Sequence, residues 1–542
     1  MKQIKDPVYG YVDVDDFCLP LIDSAEFQRL RNIVQTGYQA LYPSALHNRF
    51  VHSIGVYHLG KKGFESFEKN VKERGYPEYQ DTKWEKNKKT FLLACLLHDV
   101  GHSPFSHTGE EYYKKGIDLK EELIHLLPDA SEFHEDIKTN IGKPHEAMSA
   151  VVGVELLRKY DINDIDEELF VRSIIGVPFK KQDKLLVNII IGMLNGPLID
   201  VDKLDYLIRD SYVTGFNTMA LDVERLFAGY LISEYTDVSG ATKRVPAYKR
   251  GSLSVIENVT FANDLERHWI QNNPTILYDV KLIQLAIEDY DSYMIEEYHD
   301  KLQGAKSIFN KIAISPEGYI KKEIPLALLC DDDIVWFLKN IDCNNVISKQ
   351  FFDRSRRLKP IWKSETEFRN LERENLGNRV ARSFKNTLKA IKNNTFYVND
   401  IEYEKAKAEK IESERTLEET TDLMKEVVKN SIKTQVEVLK VFEIFKEFAE
   451  KNELNNDFAF IYVDKHYESN YSKLGSEEIY IEFIPDRVIP VQEALVVEAK
   501  DSSAEEKTGY YYIYTSKENI NSFKEKRKDI AKELFLFIGH KW

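Results

Sequence analysis

The stretch FLLACLLHDVGHSPFSH, residues 91–107, decides the fold of this chain. Its first seven residues are all apolar, which predicts a helix buried in a core. Gly101 and Pro104 then break the helix and turn the chain into a loop. His98 and Asp99 stand where the helix ends, so that an imidazole and a carboxylate can turn toward a common point beside the core.

The composition is that of an ordinary soluble protein with an acidic balance. With 542 residues and 43% hydrophobic content, the chain is long enough for a sizeable core and accessory lobes. Lys and Arg total 75 against 90 Asp and Glu, a formal charge of −15, which disfavours nucleic acid as a partner and leaves only a local basic patch such as RSRRLKPIWK, residues 354–363. The four cysteines lack CxxC spacing and no secretory signal precedes them, so we expect a cytoplasmic protein. The longest apolar stretches, such as residues 185–194, are too short to cross a membrane.

Hydrophobic spacing divides the chain into three predicted regions. Residues 1–300 show apolar positions at three and four spacing and are predicted to form a helical domain. Residues 301–454 are predicted to be a helical extension with basic and charged segments. Residues 455–542 contain short β-branched and aromatic runs, including FAFIYV, EEIYIEFI, RVIPVQ, ALVVEA and GYYYIYTS, followed by a closing helix from Ser522. The predicted fold is mainly α, with a helical core and a smaller C-terminal α+β lobe.

The residues around His98 and Asp99 permit a metal site. Imidazole and carboxylate ligands with open positions are the arrangement that activates water on a divalent metal. Two further ligands must come from elsewhere, and the candidates are His52 in NRFVHSIGV and the acidic stretch IDVDKLDYLIRD, residues 199–210, which contains Asp202. A single histidine is more often a surface or core residue than a ligand, but three such motifs in order within one helical region favour a metal.

The same neighbourhood is suited to phosphate chemistry. Arg49 offers a planar fork and Lys203 a point charge for phosphate oxygens. Free imidazole has a pKa suited to a general acid near neutrality, which makes His102 and His107 candidates for that role. Hydrogen-bonded loop histidines are the alternative, and for His102 both interpretations stay open.

These residues resemble a known family, the HD-domain deoxynucleoside triphosphate triphosphohydrolases, which includes bacterial dGTPase-like enzymes and the vertebrate antiviral dNTPase. The resemblance is strong over residues 1–220 and weak beyond them. Six blocks carry it in order: KQIKDPVYGYV, LIDSAEFQRLRNIVQTG, YPSALHNRFVHSIGV, LLHDVGHSPFSH, PHEAMS and IDVDKLDYLIRDSYVTG. The resemblance implies an HD-domain helical core that hydrolyses a dNTP at the α-phosphorus.

The resemblance also implies a role for particular residues. The implied ligands of a transition metal (Mn, Fe, Zn or Co) are His52, His98, Asp99 and Asp202. The implied catalytic residues are His107, His102 and Asp99. The implied substrate contacts are Arg49, Lys203 and Tyr206 around the phosphates and Gln35, Asp210 and Tyr278 around the sugar, with His145 as a further active-site partner that binds substrate. A magnesium ion would accompany the substrate phosphates. The chain departs from the family where Ile270 falls near an arginine position and Pro274 interrupts a helix.

A second implied site binds a GTP or dNTP effector at a subunit boundary, so that the enzyme would be a homo-oligomer (dimer, tetramer or hexamer). Its residues are Lys2, Asp23, Gln28 and Arg31. The structural alternative is a helix cap at Asp23 and an ion pair with Arg31.

Three functions follow from these observations. The first is a nucleotide-activated dNTP triphosphohydrolase that lowers dNTP pools, with a role in antiviral defence against phage. The second is an HD phosphohydrolase acting on a monophosphate, a modified nucleotide or a cyclic nucleotide. The third is a nucleic-acid-binding or nucleotide-sensing assembly, which the net charge disfavours.

Overall fold

The computed structural model describes residues 2–76, 83–180, 184–216, 220–237, 239–298, 305–316, 326–375, 443–463, 479–485, 487–495 and 509–541. Residues 376–442 of the predicted helical extension lie outside this set. Most of the predicted strand ALVVEA also lies outside it, and its first two residues end a short helix.

The chain forms two compact units from interleaved segments. The first unit comprises Met1–Ile270, Ile283–Ser348 and Ser469–Asp501, and the second comprises Gln271–Leu282, Lys349–Glu468 and Ser502–Trp542. The predicted C-terminal lobe, residues 455–542, contributes strands to both units, because a strand pairs with distant segments that its local pattern does not reveal. The domain boundaries at residues 300 and 454 stay a prediction.

Helices dominate the described chain, which confirms the mainly α prediction. They are α1 (Leu19–Ile22), α2 (Ala25–Arg29), α3 (Arg49–Glu73), α4 (Trp84–Leu97), α5 (Tyr113–Gly116), α6 (Leu119–Leu126), α7 (Ser131–Asp136), α8 (Pro144–Lys159), α9 (Glu167–Ile175), α10 (Leu185–Leu194), α11 (Val201–Thr214), α12 (Val223–Gly229), α13 (Leu253–Glu266), α14 (Pro274–Glu297), α15 (Lys311–Ile314), α16 (Asp331–Asn340), α17 (Val346–Phe352), α18 (Glu365–Asn375), α19 (Val491–Leu495), α20 (Lys517–Asn521) and α21 (Arg527–Lys541). Residues 443–451 are helical as well.

Helix α4 lies at the centre of the first unit. Every residue from Phe91 to Leu97 is buried, which confirms the buried helix predicted from the apolar run. It packs against α3 and α9, and α3 packs in turn against α11. An all-round apolar helix needs partners on several sides, and these helices supply them. The first turns of α3 and α11 meet at the end of α4.

Two hairpins interrupt the predicted helical region of residues 1–300. Strands β1 (Lys2–Asp6) and β2 (Gly10–Val14) pair antiparallel, as do β3 (Tyr230–Thr236) and β4 (Thr242–Lys249). Strand β4 also pairs in parallel with β7 (Tyr480–Ile484), which continues antiparallel into β8 (Arg487–Pro490). The β3–β4 pair therefore acquires half of its sheet from a segment more than two hundred residues later.

The second unit contains the other predicted strands. Strand β9 (Tyr510–Thr515) lies between β5 (Lys359–Pro360) and β6 (Phe458–Val463), both antiparallel to it. Trp362 is buried, packs against Phe535 of α21 and donates its indole N–H to Tyr511 O at 2.7 Å. The closing helix predicted after Ser522 is confirmed as α21. Among the described residues, none of the helices combines the length and the apolar character needed to span a bilayer.

Candidate metal centre and active site

Three helix ends bring the candidate metal ligands together. His52 lies in the first turn of α3, which begins after Asn48, whose side chain accepts Val51 N–H at 3.2 Å. His98 follows the last residue of α4. Asp202 lies in the first turn of α11, which begins where Asp200 accepts Lys203 N–H at 2.7 Å. Capping side chains thus fix where two of these helices start.

The ligand atoms converge within one small volume. His52 Nε2 lies 3.0 Å from Asp202 Oδ1 and 3.3 Å from His98 Nε2. His98 Nε2 lies 3.7 Å from the same Asp202 oxygen. The carboxylate of Asp99 lies 3.5 Å from both imidazole Nε2 atoms. The four predicted ligands therefore surround one point, with His52, His98 and Asp202 forming the tightest group.

The other nitrogen of each imidazole is held by the protein. His52 Nδ1 lies 2.7 Å from Asp205 Oδ2, and His98 Nδ1 lies 2.9 Å from Cys95 O. A hydrogen bond from Nδ1–H leaves the Nε2 lone pair free, which is how proteins orient metal-ligating histidines. Arg209 holds Asp205 in turn through Nε at 2.9 Å.

The pKa values follow this arrangement. Burial by itself lowers the pKa of His52, but Asp202 and Asp205 outweigh it and raise the pKa to about 9, so a metal ion that binds Nε2 would displace a proton from it. Burial opposes ionisation of Asp99, yet Arg49 and the neighbouring histidines hold its pKa well below the usual range. Burial likewise opposes ionisation of Asp205, and Arg209 lowers its pKa to about 2. The carboxylates are therefore ionised and concentrated where a cation would lie.

The donor set fits a divalent transition metal. Two imidazole nitrogens and two carboxylates are the mixed N/O ligands that such ions take in hydrolytic enzymes. Asp99 is shared, since Arg49 Nη1 donates to its Oδ2 at 2.7 Å. Arg49, which the sequence suggested as a phosphate-binding residue, is therefore buried beside the candidate metal ligands.

A second cluster of histidines adjoins the first. His102 and His145 stack with ring centroids 4.2 Å apart, and His107 meets both rings edge-on at 5.1 and 4.9 Å. His102 Nε2 lies 3.3 Å from Asp99 Oδ1. Asp99 therefore links the two clusters.

The environments of the three rings differ. His102 is fully buried, and within the described residues neither ring nitrogen makes a well-aligned hydrogen bond. Burial, and then the charge of Arg49, holds its pKa well below the usual range, so the ring is neutral. His107 is about half exposed (56%), and Glu110 Oε2 lies 3.5 Å from its Nδ1. Glu110 also hydrogen-bonds His145 Nδ1. Burial opposes the ionisation of Glu110, but His107 and His145 outweigh burial and lower the pKa of Glu110.

The loop between the clusters is tightly constrained. Phe105 and Ser106 both have positive φ, 55° and 57°, a conformation that costs non-glycine residues about 1–3 kcal/mol each. A side chain at Gly101 would place its Cβ 2.4 Å from Ser149 N, so the loop approaches α8 closely. Arg49 Nε donates to Ser106 Oγ at 2.9 Å. Two residues of unusual backbone therefore follow Pro104, the second of the predicted breakers.

The remaining predicted substrate residues of the first unit lie close by. Lys203 Nζ donates to Gly196 O at 2.6 Å and to Asp200. Tyr206 follows Asp202 by one turn of α11. Arg49 Nη2 donates to Gln35 O at 3.2 Å. The predicted sugar contacts, Gln35 and Asp210, are buried.

Asp210 has a partner that sequence did not suggest. His47 Nε2 lies 2.6 Å from Asp210 Oδ1. Asp210 Oδ2 and Gln35 Oε1 are buried without a hydrogen-bond partner in the part of the chain that the structure describes. A buried acceptor left unpaired is costly, and a bound hydroxyl would satisfy it.

Tyr278 belongs to the second unit. Its hydroxyl donates to Gln350 Oε1 at 2.6 Å, and its ring packs on Tyr514. Pro274 is the first residue of α14, after a π-helical segment Arg267–Gln271, so the predicted break before it is present. Ile270 is buried.

The predicted effector residues form two exposed pairs. Lys2 Nζ lies 3.9 Å from Asp23 Oδ1, and Arg31 Nε donates to Gln28 Oε1 at 2.8 Å. The structural alternative predicted that Asp23 caps a helix. Instead, Ser24 caps α2, because its side chain accepts a hydrogen bond from Phe27 N–H at 3.3 Å. The ion pair of Asp23 is with Lys2.

Sequence reasoning missed three carboxylates and one histidine of this region: Asp205, Glu110, Asp331 and His47. Asp205 and Glu110 each follow a predicted functional residue by three positions, and on a helix that spacing puts both on one face. Asp331 and His47 carried no such signal.

Comparison with known proteins agrees with this geometry. Residues 49–191 match the family model for the HD domain. The chain is 33% identical over 231 residues to the deoxynucleoside triphosphate triphosphohydrolase SAMHD1 homolog of Dictyostelium discoideum, covering 42% of this chain and 38% of that protein. It is 33% identical over 328 residues to SAMHD1 of Gallus gallus, covering 58% and 49%. A putative HD domain-containing protein, L394 of Acanthamoeba polyphaga mimivirus, is 30% identical over 337 residues, covering 58% and 66%.

These matches cover part of each protein. The chain spans between 38% and 66% of the length of these curated relatives. A crystal structure of a hypothetical protein from Aquifex aeolicus aligns over 98% of this chain and 99% of that one, with a TM-score of 0.50 and 20% sequence identity, which is a likeness of fold. The chain therefore carries an HD domain, and its homologues include deoxynucleoside triphosphate triphosphohydrolases.

Proposed function

We propose that this chain hydrolyses deoxynucleoside triphosphates to a deoxynucleoside and inorganic triphosphate. The observation that carries the proposal is the junction at Asp99, which lies 3.5 Å from His98 Nε2 in the metal centre and 3.3 Å from His102 Nε2 in the histidine cluster. A metal centre beside a cluster of imidazoles offers both water activation and proton transfer in one pocket. Similarity to dNTP triphosphohydrolases supports the substrate class.

The residues of the metal centre have distinct tasks. A Mn, Fe, Zn or Co ion held by His52, His98, Asp99 and Asp202 would polarise a phosphoryl oxygen and lower the pKa of a water. Asp205 accepts the Nδ1 proton of His52 and keeps its Nε2 directed at the centre. Arg49, held between Asp99 and Ser106, places a positive charge where phosphate charge accumulates.

His107 is the proposed general acid. The oxygen of the attacking water forms a bond to the α-phosphorus as the bond from phosphorus to the 5′ oxygen of the sugar breaks. The 5′ oxygen needs a proton so that it can leave as the hydroxyl of the deoxynucleoside. Glu110 engages Nδ1 of His107, so that the opposite nitrogen is the one available to give the proton. The half-exposed ring can then recover a proton from solvent.

The substrate contacts are proposed from the remaining polar side chains. Lys203, Tyr206 and His145 would hold the phosphates together with Arg49, and a magnesium ion would bridge phosphate oxygens. The unpartnered acceptors Gln35 Oε1 and Asp210 Oδ2 suit sugar hydroxyls, which donate hydrogen bonds. Tyr278 belongs to the second unit, and its role beside the sugar stays a prediction of the family resemblance.

Regulation belongs to the same proposal. Lys2, Asp23, Gln28 and Arg31 would bind the phosphate and guanine of a GTP or dNTP effector and assemble a homo-oligomer. The exposure of Lys2 and Asp23, 52% and 66%, leaves their side chains accessible to a ligand. The enzyme would act in the cytoplasm, lower dNTP pools and so limit phage replication.

The test is a product assay. The chain is incubated with manganese and each dNTP or rNTP, alone and in pairs, and the products are separated by ion-exchange chromatography. Triphosphate and a deoxynucleoside are the expected products, and acceleration by a second nucleotide would support the effector site. Release of a monophosphate or of inorganic phosphate would replace the proposal with another HD phosphohydrolase. Binding of single-stranded nucleic acid that falls steeply with salt, without turnover, would replace it with a nucleic-acid-binding assembly.

A further inference from the structure

The acidic run of residues 331–333, at the start of α16, reaches the loop that carries the histidines. Asp331 Oδ1 accepts Phe105 N–H at 2.6 Å, and Asp331 Oδ2 accepts Val34 N–H at 2.9 Å. The two amides belong to segments 71 residues apart in the chain, as the positions show. One carboxylate therefore ties two separate segments together, one oxygen to each.

Each of these segments leads into the proposed active site. Phe105 lies two residues before His107, and Val34 directly precedes Gln35. The Ser106 hydroxyl donates to Val34 O and accepts Arg49 Nε–H. A continuous set of hydrogen bonds thus runs from Asp331 through Val34 and Ser106 to Arg49, and from there to the carboxylate of Asp99.

Arg29 adds further hydrogen bonds at the same junction. Its Nη1 donates to Leu329 O at 2.6 Å, two residues before Asp331. Its Nη2 donates to Val100 O at 3.0 Å and to His102 O at 2.7 Å. The segment that leads into α16 is therefore held to both the beginning and the middle of the histidine loop.

The loop needs such external contacts. Phe105 and Ser106 adopt consecutive left-handed conformations that neither residue prefers. A strained segment keeps one conformation only where its surroundings determine it. Asp331 accepts a hydrogen bond from the N–H of Phe105, the first of these two residues.

We propose that Asp331 is a positioning residue, which clamps the Phe105–Ser106 turn to the Val34 segment and thereby sets the place of His107 relative to the metal centre. It touches neither the metal ligands nor the substrate. Its effect on turnover rests on the proposed function, whereas its effect on the loop does not.

The test compares Asp331→Asn with Asp332→Asn. The amide offers one acceptor and puts an NH2 group against the second backbone N–H, so one of the two contacts is lost. The neighbouring Asp332 is exposed and is the matched control for charge. Both variants and the wild-type chain are measured for bound metal, for kcat and KM, and for hydrogen exchange in a peptide that spans residues 99–110.

In Asp331→Asn we expect full metal content, a kcat lowered about tenfold or more with little change in KM, and faster exchange in that peptide. Asp332→Asn should match the wild-type chain in all four measurements. Unchanged exchange and unchanged kcat in Asp331→Asn would overturn the proposal, as would an equal change in both variants.

If Asp331→Asn does not fold, exchange at single amides of the wild-type chain decides, because the clamp requires slow exchange at Val34 and Phe105, and fast exchange there would overturn it. If the wild-type chain hydrolyses no nucleotide, the proposed function fails, and the exchange measurements still test the clamp.

Discussion

His52 Nε2 lies 3.0 Å from Asp202 Oδ1, although the two residues belong to the first turns of different helices, α3 and α11. His98, at the end of α4, lies 3.3 Å from the same His52 nitrogen and 3.7 Å from the same Asp202 oxygen. Metal binding at this point would therefore connect three helices at once.

Removal of Asp202 should release the metal. In Asp202→Ala the closest carboxylate of the centre is gone, so bound metal, measured by plasma mass spectrometry, should fall with activity, each by about 100-fold or more. The exposed Asp332→Asn should retain both. Normal turnover by Asp202→Ala would contradict the metal assignment.

Asp205 should support metal affinity without touching the metal. Asp205→Asn weakens the acceptor that fixes the tautomer of His52, and we expect metal affinity to fall about 10- to 100-fold in a chelator competition. Asp205 also pairs with Arg209, so thermal unfolding is measured in the presence of EDTA to separate stability from metal binding. Equal metal affinities in variant and wild type would show that His52 needs no such partner.

Replacement of His107 should slow the chemical step without changing the amount of bound metal. His107→Ala should keep the wild-type metal content and slow the chemical step about 10²- to 10⁴-fold in single-turnover assays, because the leaving oxygen loses its proton donor. His125→Ala, an exposed histidine on α6, is the control. A single-turnover rate unchanged in His107→Ala would assign the proton to another group.

Glu482 should make stability depend on pH. Arg74 donates two hydrogen bonds of 2.6 Å to this buried carboxylate, and Ser233 adds one of 2.8 Å. Burial raises the pKa of Glu482, but the hydrogen bonds from Arg74 and Ser233 outweigh burial. The pKa of Glu482 in the folded chain therefore lies below its pKa in the unfolded chain. Its stabilising contribution is thus present above the unfolded pKa of about 4.3 and is lost as pH falls through the folded value.

Glu482→Gln should accordingly reduce the free energy of unfolding by about 2 kcal/mol at pH 7, and by less at pH 4. Urea unfolding at the two pH values measures both differences. A loss that is the same at pH 4 and pH 7 would mean that the charge of Glu482 contributes nothing.

The effector site predicts a nucleotide-dependent rate. Adding GTP to a dNTP should raise turnover and increase the sedimentation coefficient, and Arg31→Ala should weaken both responses because it removes the partner of Gln28. Activity that is linear in enzyme concentration and indifferent to GTP would show that Lys2, Asp23, Gln28 and Arg31 are structural.

Local sequence was enough for the parts of the site that depend on helix ends. The apolar run before His98 predicts a buried helix and its end, and the family resemblance implies the ligand set, of which His52, His98 and Asp202 converge in the structure. These features are readable because burial and helix termination depend on neighbours in the chain.

Only the tertiary structure decided which distant groups meet. The pairing of β4 with β7, the support of His52 by Asp205, the contact of His47 with Asp210 and the clamp of Asp331 on Phe105 all join residues without a shared local pattern. A buried carboxylate or strand edge takes whichever partner packing brings within hydrogen-bonding distance, and that choice is made by the assembled core. The sequence by itself predicted the helical core and, through the family resemblance, the candidate metal ligands, while the folded chain determined what holds these side chains in place.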